Sequence, residues 1–211
     1  MDAQPQPPLA DLGLPHLLAL AAALGWASGM RLYATVFLVG LAGRLGWLPL
    51  PAGLLVLEHL PVLIVAGGLM LVEFLADKIP GVDSLWDLVQ TVIRVPAGAA
   101  LAAAALGVQG DGGQAWAVIA ALFGATLAAT AHAAKAGTRA AANTSPEPFS
   151  NLALSLAGDA FVPFLLWLAW VHPLAGGLLI VLMLALALVL IRLTFRFLAG
   201  LLRKLRPQRT A

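Results

Sequence analysis

Residues 73–94 read EFLADKIPGVDSLWDLVQTVIR, and this stretch decides what kind of chain this is. Four carboxylates (Glu73, Asp77, Asp83, Asp87) and two cations (Lys78, Arg94) stand here in a chain that is 61% hydrophobic and only 10% charged. The mean hydropathy of +0.95 lies outside the range of soluble domains and places the protein in a bilayer. Where lipid surrounds a charge the cost is high, so each charge here needs a partner, a water-filled cavity or a task. Glu73 and Asp77 are four apart on one helical face, as are Asp83 and Asp87, and Arg94 lies a heptad beyond Asp87. Four acids against two bases leave the island at −2.

Outward from this island the chain resolves into apolar runs between breakers. The breakers are Pro49 and Pro51, Pro80–Gly81, Gly110–Asp111–Gly112–Gly113, Pro146 and Pro148, and His172–Pro173. About 20 apolar residues cross a hydrocarbon core of about 30 Å. Six spans are predicted, at roughly 16–41, 54–76, 85–107, 115–137, 150–171 and 174–199, with a kink at Pro96 in the third. The fold class is all-α, a polytopic membrane protein of about six transmembrane helices. Its parts are an N-terminal tail (1–14), the six-helix domain (15–200) and a basic C-terminal tail (201–211). Three spans precede the Gly110–Gly113 loop and three follow it, so two inverted three-helix halves fit the count.

Cations set the expected orientation. Lys78, Arg94, Lys135, Arg139 and the six of Arg192, Arg196, Arg203, Lys204, Arg206 and Arg209 fall on one side, and Arg44 alone on the other. Ten against one reads as cytoplasmic N- and C-termini in an inner (plasma) membrane. The acidic, cation-free N-terminus lacks the basic start of a signal peptide. Cysteine is absent, which removes disulfides, thiolate nucleophiles and cysteine metal sites. The pI near 9.5 comes from the C-terminal cluster, which suits anionic lipid rather than nucleic acid. Small residues inside the spans (Gly25, Gly29, Gly67, Gly68, Gly98, Gly124, Gly176, Gly177) allow close helix packing, within one chain or across a homo-oligomer.

The second charged stretch, residues 132–159, reads HAAKAGTRAAANTSPEPFSNLALSLAGD. His132, Lys135 and Arg139 form one stripe of the fourth helix, and Thr144 and Ser145 precede two prolines. This stripe is either a set of snorkelling cations or an anion or headgroup site. Its charge of +2 opposes the −2 of the first island on the same membrane face, so Lys135 and Arg139 are expected to meet Asp77, Asp83 or Asp87. Asp159 lies about 13 Å into the fifth span and Arg31 is similarly deep in the first. Each would cost about 2.5–3.5 kcal/mol if isolated, so the two form a pair or a working site.

The blocks EFLADKIPGVDSLWD with Arg94-Val-Pro-Ala-Gly, and HAAKAGTRAAANTSPEPFSN with Ser155-Leu-Ala-Gly-Asp159, resemble a family of bacterial and plant-plastid integral membrane proteins known as a domain of unknown function, DUF4126. The resemblance covers roughly residues 20–165 and implies the membrane architecture, with no activity attached. It also implies an acid at position 158, where this chain has glycine. The function expected from the residues is a small transporter or channel-like permease for an ion or small polar solute, with Arg31, Glu73 and Asp159 lining the pathway. Asp77, Lys78, Asp83, Asp87, Arg94, His132, Lys135, Arg139, Thr144 and Ser145 would form its cytoplasmic charged cluster. The first island is either a salt-bridged helical hairpin or a cation or proton site built from its carboxylates; no cofactor is implied, and the identity of any metal is open. The alternatives are an Mg-dependent enzyme on lipid phosphates, with Asp83 and Asp87 on the metal and Lys135 and Arg139 on phosphate, and a non-catalytic scaffold.

Overall fold

A computed structural model describes residues 12–79, 81–107, 113–144 and 149–205. The tail up to residue 11, Pro80, the loop with Asp111, the stretch Ser145–Pro148 and residues 206–211 lie outside the described residues, and so do the side chains of Arg203 and Lys204. The described chain is almost wholly helical: α1 (Leu14–Arg44), a 3-10 turn (Ala52–Glu58), α2 (Leu60–Ala76), α3 (Val82–Leu106), α4 (Gly113–Ala142), α5 (Phe149–Val171) and α6 (Pro173–Leu205). Prolines open α1, α2 and α6, where the missing N–H has no intrahelical partner to lose. The turn from α2 to α3 passes through Gly81 at φ +86°, a conformation only glycine adopts freely.

Two spans differ from expectation. The run 54–76 is not one helix: the 3-10 turn and α2 meet at an angle of 71°. Pro61 forbids a continuous α-helix here, because its ring clashes with the carbonyl four residues back. Pro96, by contrast, sits inside α3 without ending it.

The larger correction concerns the first span, 16–41. α1 is broken at Arg31, whose backbone (φ −146°, ψ 77°) is not helical. Its first half, α1a, runs parallel to α4, with Gly25 against Gly124 and Gly29 against Ala128. Leu18, Ala19, Ala21 and Ala22 there share a cavity with Leu106, Trp116 and Leu174, at the ends of α3, α4 and α6. Beyond Arg31 the second half, α1b, turns back. Phe37 lies on Gly67 and Gly40 on Leu57 and Leu63, while Leu38, Ala42 and Leu48 share a cavity with Pro163, Trp167 and Val171. Gly53, just after α1b, packs on Ala104 near the end of α3. Both ends of α1 therefore lie at one end of the bundle, with Arg31 at the tip of a helical hairpin. Leu14 and the end of α6 lie at opposite ends.

Glycines make the hairpin fit. A Cβ on Gly25 would come within 2.9 Å of the Gly124 Cα, and one on Gly98 within 2.6 Å of both the Ala128 Cβ and the Ser28 hydroxyl. Such contacts force backbones apart, so these small residues are used within the chain. Trp26, Leu24, Leu127, Val162 and Leu165 fill the core around them.

Candidate functional site

α2 ends at Ala76 with Glu73 and Asp77 on its inner face, both fully buried. α3 carries Asp83, Asp87, Gln90 and Arg94 along one buried stripe, spaced i, i+4, i+7 and i+11. α4 brings His132, Lys135 and Arg139, α5 brings Ser155 and Asp159, and the tip of the α1 hairpin brings Arg31. These elements place five acids and five bases in one layer.

Their pairing is continuous. Arg94 spans Glu73 (Nη2–Oε1 2.6 Å) and Asp87 (Nη1–Oδ1 2.8 Å). Lys135 joins Asp87 at 3.1 Å to Asp77 at 3.0 Å. Asp77 also holds Arg139 at 2.7 Å and pairs with Arg31. Arg139 reaches toward Asp83 (3.9 Å), while Arg31 continues to Asp159 (2.9 Å), whose other oxygen holds Lys78 (2.9 Å). All ten charges belong to one branched chain of ion pairs with no net charge. The expected meeting of the two islands takes place at Asp77, Asp83 and Asp87. Lys135 and Arg139 are thereby committed to carboxylates rather than held open for an anion.

The break in α1 is part of this layer. It frees carbonyls that would otherwise be unpaired at membrane depth, and long cations from other helices take them. Lys135 Nζ donates to the Met30 carbonyl (3.1 Å) and Arg94 Nη1 approaches that of Gly29 (3.5 Å). Thr35 Oγ1 donates to the Arg31 carbonyl at 2.8 Å. These cations also face the negative end of α1a. Irregular backbone within a membrane survives only where protein or a cavity receives it, and here both do.

His132 sits between Arg94 and Thr91. Arginine has no acceptor, so the His132 Nδ1, 2.9 Å from Arg94 Nη1, accepts, and its Nε2–H donates to the Thr91 hydroxyl at 2.7 Å. Asp83 serves the start of α3: its Oδ1 accepts from the backbone N–H of Gly81 (2.8 Å) and Ser84 (2.7 Å), and Asn143 Nδ2 donates to both of its oxygens at 3.2 Å. Thr144 donates to the Ala141 carbonyl at the end of α4 and takes no part in the layer, and Ser145 lies outside the described residues.

Arg31, Glu73 and Asp159 line one cavity of about 380 Å³. Ala34 and Leu38 of α1b form its floor, Met70, Leu71 and Phe74 of α2 one wall, and Val162 and Pro163 of α5 the other. Within its lining the Arg31 guanidinium is taken up by Asp77, Asp159 and the Ser155 carbonyl (2.9 Å). Glu73 gives Oε1 to Arg94, and its Oε2 is buried without a partner.

Sequence reasoning missed Ser155, whose carbonyl and hydroxyl both bind Arg31, although it stands four residues before Asp159 on the same face. It also missed Gln90, which lies on the Asp83–Asp87–Arg94 stripe and donates to the Tyr33 hydroxyl (3.1 Å). A Cβ at Gly158 would stand 3.7 Å from the Arg31 Nε and Nη2, so an acid there would give Arg31 another partner.

The profile of the family described as Domain of unknown function (DUF4126) matches residues 18–193. No curated protein and no solved structure matches the chain. The chain belongs to the DUF4126 family, and the matched region contains the hairpin tip at Arg31 and the whole charge layer.

Proposed function

We propose that this member of the DUF4126 family is a small permease for an ion or polar solute, with its binding site in the cavity lined by Arg31, Glu73 and Asp159. The observation that carries the reading is the break of α1 at Arg31, in the wall of that cavity. Membrane helices interrupted beside charged groups commonly form transport sites, because the interruption offers carbonyls and helix ends to a solute. A layer with balanced charges can exchange one ion pair for a solute contact at little electrostatic cost.

The enzyme reading draws less support. The Asp83 carboxylate is spent on the start of α3 and on Asn143, and Asp87 gives Oδ1 to both Arg94 and Lys135. Among the described residues no group of three or more His, Asp or Glu side chains is arranged to hold a metal. Orientation is part of the same proposal. The basic end of α6 faces the cytoplasm of an inner membrane, and the hairpin then puts the start of α1 on the outside.

The test is flux. Proteoliposomes with the purified protein, loaded with a pH-sensitive dye, are given gradients of protons, Na⁺, K⁺, a small amine and a small organic acid. Protein-dependent flux of at least one, reduced ten-fold or more by Asp159→Asn, is expected. No flux above protein-free vesicles for the whole panel would sink the permease.

A further inference from the structure

The cavity at Arg31 is not a central pore. α2 and α5 both pack on α1b but leave a cleft between them. The rims of that cleft are Leu71, Phe74 and Pro163, all exposed on the apolar outer face of the bundle. An apolar slot that faces lipid thus leads down to buried charge.

The charges at the inner end of the slot favour one kind of head group. The cavity-lining charges are Arg31, Glu73 and Asp159, one base against two acids. The base is ion-paired to Asp77 and Asp159, while a buried carboxylate oxygen, Glu73 Oε2, lacks a hydrogen-bond donor. Asp159, with its side chain 22% exposed, is the acid that an incoming molecule meets first, and Lys78 is its displaceable partner at 19% exposure. An unpaired oxygen on a lining carboxylate recruits a hydrogen-bond donor, and a donor that carries positive charge makes the stronger bond to it. The walls of Met70, Leu71, Phe74 and Val162 accept an apolar body, and about 380 Å³ lies within the range of small-molecule sites.

We propose that the slot binds amphipathic organic cations, namely a protonated amine on a small apolar body that enters sideways from the lipid between α2 and α5. The ammonium replaces Lys78 at Asp159 and donates to Glu73 Oε2, and the apolar body lies along α1b. This deepens the permease reading and rests on it for transport, but binding stands without flux.

The probe is phenethylammonium, titrated against the full-length protein in lipid nanodiscs, with 2-phenylethanol and 3-phenylpropionate as neutral and anionic controls of the same body. Saturable binding of the ammonium, at least ten-fold tighter than either control, is expected. Glu73→Gln is expected to weaken it ten-fold or more. Ala34→Leu, which fills the floor without touching an ion pair, keeps the test open if Glu73→Gln fails to fold and is expected to weaken binding by a similar factor. Equal binding of the ammonium and the alcohol, no ammonium binding, or ammonium binding unchanged in Ala34→Leu would each overturn the proposal. Flux of another solute without amine binding would refute this inference and leave the permease standing. Amine binding without flux of any solute would do the reverse.

Discussion

Asp77 pairs with three cations, Arg31, Lys135 and Arg139, and its side chain is fully buried. Asp159 pairs with two and keeps 22% of its side chain exposed. The residues thus differ in what their loss strands. Removing one partner of a buried pair costs about 3–5 kcal/mol, because the remaining charge has no water to turn to. Asp77→Asn is expected to cost at least that much and to lower the unfolding temperature in detergent further than any other single acid-to-amide change in the layer. Asp159→Asn is expected to cost less than half as much, since Arg31 keeps Asp77 and Lys78 can reach water. Thermal unfolding followed by tryptophan fluorescence ranks the two, and equal losses would refute the branched order of the layer. Arg139→Glu paired with Asp77→Arg is expected not to recover stability, because the reversal at Asp77 repels Arg31 and Lys135. A reversal at Asp83, which holds only Arg139 among the cations, is expected to recover more.

Among the elements, α1 depends most on small residues. Gly29 lies against the backbone of Ala128, and the Met30 carbonyl just after it receives Lys135. Gly29→Val is therefore expected to push α1a off α4 and weaken the layer as well as the packing, with a loss of detergent stability comparable to that of Asp77→Asn. Gly68 and Gly177 have nothing within 4 Å of an added Cβ, so valine there is expected to leave the stability of the single chain unchanged. Size-exclusion chromatography of these two variants reads the other use of small residues: a shift to smaller species would place Gly68 or Gly177 in a homo-oligomer interface.

What the sequence makes legible at this scale follows from local chemistry. Prolines and glycines at 49, 51, 81 and 173 mark real helix ends, and the opposite charges of the two islands fix their meeting. The bend before α2 also had a local signal in Glu58, His59 and Pro61, outweighed by the apolar runs on either side of them. The break at Arg31 had only the charge of Arg31 itself, which marks a costly residue but no turn, and no proline stands there. It is held by Lys135 and Arg94, residues 104 and 63 positions away in sequence, and such partners cannot be read from a window of neighbours. The site was named through its charges, while the slot beside it, formed where α2 and α5 stand apart, has no signature in the sequence.

For the molecule as a whole, the hairpin changes the parity of the chain. If α1 crossed the bilayer, residues before Leu14 and after Arg44 would lie on opposite sides. In the structure both ends of α1 meet the same end of the bundle, close to the ends of α3 and α5. α1a is 17 residues long, about 25 Å at 1.5 Å per residue, and reaches most of the way across before Arg31 turns it back. The chain has no cysteine, so single cysteines report position without a background. Cysteines at Gly13, Trp47 and His172 are expected to react with a membrane-impermeant maleimide added outside intact cells, and one at Asn143 only after the membrane is opened. Gly13 and Trp47 decide the matter, because a crossing helix of 31 residues cannot leave both on one side. Labelling of Trp47→Cys from outside with Gly13→Cys protected would show that α1 crosses. Arg31 would then be a mid-membrane charge on a through-going helix, and the lateral slot would lose the turn that forms its floor.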